Sequence, residues 1–481
     1  MTFVMSFSEF QTDLRFMNVT VKFLGASGTV TGSRFLLEIN NFRLLFDCGL
    51  FQGLKELRLR NWEPFPVSAD SIDAIVISHA HIDHTGYLPR LVKEGYRGPI
   101  YCTKPTADLM YIMLLDSAKL QEEEASFANE RGYSKHNTAL PLYTTQDAEA
   151  VFRLLSKHDY DQQIKISDNI DILYHDAGHL LGSAITELFL KGEKQTKKIV
   201  FSGDLGRNHD ALLNPPCAIT AADVLFIEST YGNKDNPALD PALELEKIIN
   251  ETFSRNGVVL IPAFAVGRTQ ILLYYIHRLV EEKRIPDVPV YIDSPMAISA
   301  TYLYYRFPNY HKANFNQLEF AQKMETNMLV FVKTNEHSKA LNSIKSKAII
   351  ISSSGMMTGG RILHHLYHRL PNSNDTVVIS GYQAEGTRGR RLVDKEPTIR
   401  IFGEDVPVRC HVENMSSLSG HADRNELFAW MANFTQPPKI VFTVHGEKEN
   451  IGLYAKAIRE RFNWNVIEPV YLETVELFRG I

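Results

Sequence analysis

Short runs of apolar and β-branched residues, some alternating with polar ones and some unbroken, recur through the first part of the chain. They are NVTVKFLG (18–25), RFLLEI (34–39), FRLLFDCG (42–49) and AIVIS (74–78), each bounded by turn residues. Such runs read as strands. IDILYHDAG (170–178), AITELFL (184–190), KIVFSGD (198–204) and VLFIES (224–229) continue the pattern. Near residue 240 the rhythm changes. PALELEKIINETFSRNG opens on Pro241 and stops at Gly257, the end signals of a helix. A unit of strand, small-residue loop and helix then appears four times: VVLIPAFAVGRTQILLYYIHRL, VPVYIDSPMAISATYLYYRF, AIIISSSGMMTGGRILHHLYHRL and TVVISGYQAEGTRGRRLV. Unbroken apolar strands alternating with helices predict a parallel sheet covered on both faces. Ligands of such sheets bind beyond the carboxyl ends of the strands, where these loops gather. After about residue 410 the earlier pattern returns, ending in KIVFTVHGE (439–447). The chain therefore reads as α/β, with one domain interrupted by another: residues 1–230 and 411–481 form the two parts of the first, and 231–410 the insertion.

Composition narrows the class. A chain of 481 residues exceeds what one core usually holds. With 44% hydrophobic and 22% charged residues it is ordinary for a globular protein. No apolar run is long enough to cross a bilayer, and no repeat period appears. The segment MTFVMSFSEFQTDLRFMN lacks a basic leader, and Glu9 and Asp13 interrupt it, so it does not read as a secretory signal; the cytoplasm is the expected compartment. The four cysteines, Cys48, Cys102, Cys217 and Cys410, include no C-x-x-C pair, which disfavours a disulfide framework and a thiolate metal site. A metal here falls to imidazole and carboxylate. The net charge of −5 gives no overall attraction to nucleic acid, so any such attraction is local.

One stretch is dense in donors. SHAHIDHTG (78–86) places His79, His81, Asp83 and His84 in the loop between a strand and a helix start. A single histidine there is most simply a backbone partner; four donors together point to metal ligation. His179, Asp204 and His445 each follow a strand near a glycine-containing turn. Alone, His179 reads equally as a turn residue and Asp204 as a helix cap. Together they suggest His79, His81 and His179 with Asp204 around one zinc ion, and Asp83, His84 and His445 around a second, Asp204 bridging. Two such ions about 3.5–4 Å apart share a hydroxide and clamp a phosphodiester or carbonyl oxygen.

H-x-H-x-D-H followed by a distant His, Asp and His resembles the metallo-β-lactamase fold, a sandwich of two sheets between helices. IESTYG (227–232), SGHAD (420–424) and VHGE (444–447), set around a large α/β insertion, are similar to its β-CASP branch, which includes the bacterial RNase J group and the endonuclease of eukaryotic mRNA 3′-end processing. The resemblance implies that Asp47 orients the metal site, and that Glu228, His421 and His445 carry the branch's acidic, second and third motifs. A histidine at the position of His445 is implied to favour RNA-cleaving members. Phosphodiester hydrolysis also needs a proton for the leaving oxygen, and His421 held by Glu228 suits a general acid; Asp83 is counted with the catalytic groups as well as the ligands.

Three loops of the insertion suggest phosphate contacts. Arg268 precedes a helix in AVGRTQ, Ser354 and Gly355 lie before the helix that starts near Arg361, and EGTRGRR carries Arg388, Arg390 and Arg391. Any one of these arginines is equally read as a solvated surface charge. Tyr382 is a candidate to stack on a base. GASGTVTG (25–32) reads as a hairpin loop near the site and not as a dinucleotide loop, since a strand follows it. The expected protein is a two-zinc ribonuclease acting on single-stranded RNA in the cleft between its domains, with a homodimer among its expected assemblies. An ester or thioester hydrolase of the same fold, and an inactive RNA-binding protein, are the competing readings.

Overall fold

A computed structural model describes residues 17–131, 138–193, 195–236, 239–312, 329–381 and 383–481; the candidate base-stacking Tyr382 lies outside them. Two seven-stranded sheets face each other. In the first, Val19–Phe23, Phe35–Ile39 and Phe42–Phe46 form an antiparallel meander, and Ala74–Val76, Ile100–Thr103 and Leu155–His158 continue in parallel. In the second, Gln163–Ser167, Ile170–Asp176, Ala184–Lys191 and Thr196–Phe201 run antiparallel, and Val224–Glu228, Ile440–Val444 and Val466–Ile467 extend them in parallel.

Alternation sets the facing surfaces. Val19, Val21 and Phe23 turn into the sandwich while Thr20 and Lys22 stay half-buried. Between the sheets lie Phe23, Phe35, Phe46, Phe201, Phe226 and Phe442, with the Phe46 and Phe201 rings stacked. Helices Leu88–Lys93, Lys104–Arg131 and Thr145–Val151 cover the outside of the first sheet, and Arg424–Met431 and Lys448–Phe462 the outside of the second. This is the expected sandwich of two sheets between helices.

The chain leaves the sandwich after Val224–Glu228 and returns beside that same strand, pairing Leu225 with Val441. What lies between is a six-stranded parallel sheet in the order Leu329–Phe331, Val290–Asp293, Ile349–Ser352, Val259–Pro262, Thr376–Ile379, His411–Asn414. Its last strand runs past the boundary expected at 410. Val259 and Ile261 pack under helices Pro241–Ser254, Arg268–Glu281 and Pro295–Arg306, and Leu260 packs under Arg361–Arg369 and Arg388–Val393. Asp240 and Ser294 cap two of these helices from in front of Pro241 and Pro295, so each start is fixed twice, by an accepting side chain and by a ring already at helical φ.

Candidate metal centre

The candidate ligands all lie just beyond strands. Ala74–Val76 runs into the loop bearing His79 and His81, and the single turn Ile82–Thr85 carries Asp83 and His84. His179 lies beyond Ile170–Asp176, Asp204 beyond Thr196–Phe201, and His445 directly after Ile440–Val444. Ile170–Asp176 and Thr196–Phe201 both oppose the strand between them, so their carboxyl ends reach the same edge. Asp47 and His445 turn off that edge in left-handed backbone, each at φ 53°. That conformation costs a non-glycine residue on the order of 1–3 kcal/mol and collects at functional sites.

The structure brings the seven residues together. Ligand atoms of His79, His81, His179 and Asp204 lie within 4.8 Å of one another, as do those of Asp83, His84 and His445. Asp204 spans the two groups. Its Oδ2 is 3.6 Å from His79 Nε2 and 3.7 Å from His179 Nε2, while Oδ1 is 3.5 Å from His84 Nε2 and 3.3 Å from His445 Nδ1.

Whether these residues fit a metal is decided by their protons. His84 Nδ1 donates to Asp47 Oδ2 at 2.7 Å, and His179 Nδ1 donates to the Gly420 carbonyl at 2.9 Å. In a neutral ring the remaining nitrogen, Nε2, then carries a lone pair, and in both residues it faces the cluster. His79 Nε2 stands 2.9 Å from His81 Nδ1, and His84 Nε2 stands 3.1 Å from His445 Nε2. Each pair is close enough for its two ring nitrogens to share a proton or a cation. Buried Asp204 Oδ1 has no well-aligned hydrogen bond among the described residues, only the ring nitrogens of His84 and His445 nearby. Imidazole nitrogens and carboxylate oxygens in this number suit zinc or a similar divalent ion, so the residues present fit the group.

Electrostatics agree. Burial drives His79 and His179 well below the usual histidine range and His81 to about 4, so these rings are neutral at pH 7. Burial would raise the carboxyls of Asp204 and Asp83, but the surrounding histidines override it, holding Asp204 well below its usual range and Asp83 at about 2. His84 goes the other way. Burial disfavours its charge, yet Asp204, Asp47 and Asp83 together raise it well above normal. Three carboxylates thus create a demand for positive charge that a proton or a metal can meet.

Asp47 serves this cluster without being a ligand candidate. Its Oδ1 accepts the Ser78 N–H at 2.8 Å, and its Oδ2 accepts the hydroxyls of Ser33 and Ser78 besides His84. On the other side, Glu228 Oε1 accepts the Leu205 N–H at 2.8 Å and lies 3.3 Å from His421 Nδ1. Burial lowers the proton affinity of His421, but Glu228 first and Asp204 next leave it raised.

The insertion places one expected phosphate contact at this centre. Arg268 opens the helix Arg268–Glu281 and is half-buried, with Nε lacking a hydrogen-bond partner among the described residues; desolvation brings its pKa down to about 10. A Cβ on Gly420 would stand 3.5 Å from its Nη2 and 3.8 Å from His179 Cε1, so Gly420 lies between the guanidinium and the candidate ligand His179. Gly355 packs against Phe264, whose ring also borders Gly381 beside Arg268 Nε. Ser354 Oγ accepts the Thr358 N–H within its own loop. Two arginines turn elsewhere. Arg361 is bound to Asp293 at 2.7 Å, to the carbonyls of Val332 and Lys333, and to Asn335 Oδ1. Arg388 donates to the carbonyls of Arg400, Met357 and Thr358. Both arginines thus spend several of their donors on their own domain, unlike Arg268.

Family models match the chain in sequence order: a metallo-β-lactamase superfamily domain over residues 36–225, a Beta-Casp domain over 269–392, and a Zn-dependent metallo-hydrolase RNA specificity domain over 405–469. Ribonuclease TTHA0252 of Thermus thermophilus is 36% identical over 440 residues, covering 91% of this chain and 95% of its own. The chain belongs to the β-CASP branch of the metallo-β-lactamase superfamily. Transcription termination factor FttA of Methanocaldococcus jannaschii is 31% identical over 472 residues, 95% of this chain and 72% of its own. A crystal structure of an Enterococcus faecalis protein of unknown function has the same fold, with a TM-score of 0.52 at 14% identity, covering 95% of this chain and 100% of that one.

Within this β-CASP centre three supporting residues escaped sequence reasoning. Ser78 Oγ lies 3.1 Å from His79 Nδ1 and 3.3 Å from His84 Nδ1; Thr230 Oγ1 lies 3.1 Å from His445 Nδ1; and Gly420 supplies a backbone carbonyl. Ser78 opens the donor-rich loop and Thr230 follows Glu228 by two, so proximity to the motifs was the available signal. A carbonyl acceptor leaves none.

Proposed function

We propose that this protein is a metal-dependent ribonuclease that hydrolyses phosphodiester bonds of single-stranded RNA, with two zinc ions held by His79, His81, His179 and Asp204 and by Asp83, His84, His445 and Asp204. The observation that carries the reading is the meeting of seven imidazole and carboxylate side chains within ligand distance of one another, beside a half-buried Arg268 whose Nε has no partner among the described residues. Divalent ions bound there supply an activated water and neutralise charge on the phosphoryl group. The chain's own residues do the rest. Asp47 holds the proton on His84 Nδ1 and so keeps Nε2 turned to the cluster. Arg268 receives a phosphate oxygen, its desolvated guanidinium offering a charge-assisted donor. Glu228 holds a proton on His421 Nδ1, which leaves Nε2–H to protonate the departing oxygen. The ribonuclease name of one relative supports the substrate class.

The test is cleavage of 5′-labelled and 3′-labelled RNA beside a generic carboxylic ester, with and without a chelator. RNA cleavage that stops on chelation and returns with zinc is the expected result, and product lengths give the mode. Cleavage of the ester alone would put a small-molecule hydrolase in its place. The proposal extends to the cytoplasm and a homodimer, the latter checked by light scattering in solution. No helix among the described residues is long and apolar enough to cross a membrane.

A further inference from the structure

Arg34 is a buried cation with no carboxylate paired to it among the described residues. Its guanidinium lies over the Tyr87 ring at 4.0 Å and over Phe51 at 5.0 Å. Nε donates to the Gly49 carbonyl at 2.7 Å, and Nη2 donates to Asn61 Oδ1 at 3.2 Å. Burying an unpaired charge costs several kcal/mol, roughly, even after relaxation, and aromatic faces and carbonyls return only part of that. A Met or Leu would fill such a cavity without the cost. What the guanidinium adds is a directed grip on one backbone turn.

That turn carries half of the metal centre. Residues 47–51 form a cradle beneath the segment that bears Asp83 and His84. Cys48 N–H donates to the His84 carbonyl at 2.7 Å, Leu50 N–H to Ile82 at 2.9 Å, and Ser33 N–H to Asp83 at 2.8 Å. The two backbones are so close at Gly49 that a Cβ there would lie 1.6 Å from the Asp83 oxygen, so the turn tolerates no side chain and no drift. Asp47, at the start of the turn, sets the tautomer of His84. Asn61 completes the arrangement by donating to the Phe51 carbonyl at 2.7 Å and accepting the Phe51 N–H at 3.0 Å. The other half of the centre is tied to this turn more remotely: His179 hangs on Gly420, and His79 on Ser78, which Asp47 holds in turn.

The geometry points to Arg34 as a positioning residue for one of the two cation positions, the one bounded by Asp83, His84 and His445. It acts through the Gly49 carbonyl and the 47–51 turn, whose backbone bonds reach Ile82 and His84 directly and reach the position bounded by His79, His81 and His179 only through Asp47 and Ser78, so the position of Asp83, His84 and His445 is expected to weaken most. This rests on the two-ion reading above. The same logic that makes partners of metal ligands worth about 10- to 100-fold in metal affinity applies here at one remove.

The experiment is zinc titration of the full chain against a chromogenic chelator, with stoichiometry read by elemental analysis after dialysis at limiting free zinc. The wild-type chain is expected to hold two equivalents. Arg34→Met, which keeps the volume, is expected to hold one tightly and to bind the second about 10- to 100-fold more weakly. Arg34→Lys is expected to recover part of that loss, since an ammonium reaches Gly49 without also reaching Asn61. Should Arg34→Met fail to fold by circular dichroism, Asn61→Ala carries the test with the same direction and a smaller loss. Two equivalents of unchanged affinity in the folded variants, or equal weakening of both, would overturn the role given to Arg34. A wild-type chain that takes up one equivalent or none would overturn the two-ion reading, and the role with it.

Discussion

Two sets of loops in this molecule occupy similar places, beyond the carboxyl ends of strands, and they behave in opposite ways. In the sandwich, seven polar side chains from four loops converge on one another, with Nδ1 of His84 and of His179 committed outward. In the β-CASP insertion, three arginines expected to face a common ligand divide: Arg268 points to the centre, while Arg361 and Arg388 are bound by backbone carbonyls and Asp293 of their own domain. The difference lies in the side chains. Arginine has five donors and no acceptor, and any loop rich in carbonyls can satisfy it. A crowd of imidazoles around three carboxylates concentrates a demand for positive charge that only a proton or a metal ion meets.

The contrast can be broken at its strongest point first. His84→Ala or Asp83→Ala is expected to reduce RNA cleavage to background while the thermal midpoint shifts little; cleavage at the normal rate would remove that half of the centre from the mechanism. His421→Ala is expected to slow single-turnover cleavage by about 10²- to 10⁴-fold with RNA affinity nearly unchanged. Parallel losses in rate and affinity would argue for a binding role instead. Arg361→Ala strands the buried Asp293 carboxylate, which is also bonded to His365 at 2.7 Å; a loss of about 3 kcal/mol in folding stability is expected by denaturant titration. The rate per folded molecule should not change, and a selective loss of RNA affinity would return Arg361 to the substrate. Arg268→Ala reverses that profile, costing about 2 kcal/mol of RNA affinity, measured by filter binding, with little change in stability.

The candidate ligand cluster was legible in the sequence because it is written twice, in residue type and in position after a strand. H-x-H-x-D-H and the endings of KIVFSGD and KIVFTVHG fix the side chains and the sheet edge at once. The alternation in NVTVKFLG and the unbroken AIIIS named the two kinds of sheet for the same reason. The long helix Lys104–Arg131 was not legible. Its first half buries Leu109, Met110 and Leu114, whereas Leu120 and Phe127 further on are exposed, so no continuous apolar stripe marks it. The directions of Arg361 and Arg388 were not legible either, since their partners are carbonyls and carboxylates far along the chain. The cage around Arg34 joins residues 34, 49, 51, 61 and 87, and no spacing announces it.

The central claim is that one cluster of seven side chains holds two cations. Anomalous diffraction at the zinc edge, on crystals grown with zinc, tests it most directly. Two peaks are expected, one bounded by His79, His81 and His179, the other by Asp83, His84 and His445, with Asp204 touching both. A single peak, or peaks only at surface histidines such as His364 and His368, would contradict it.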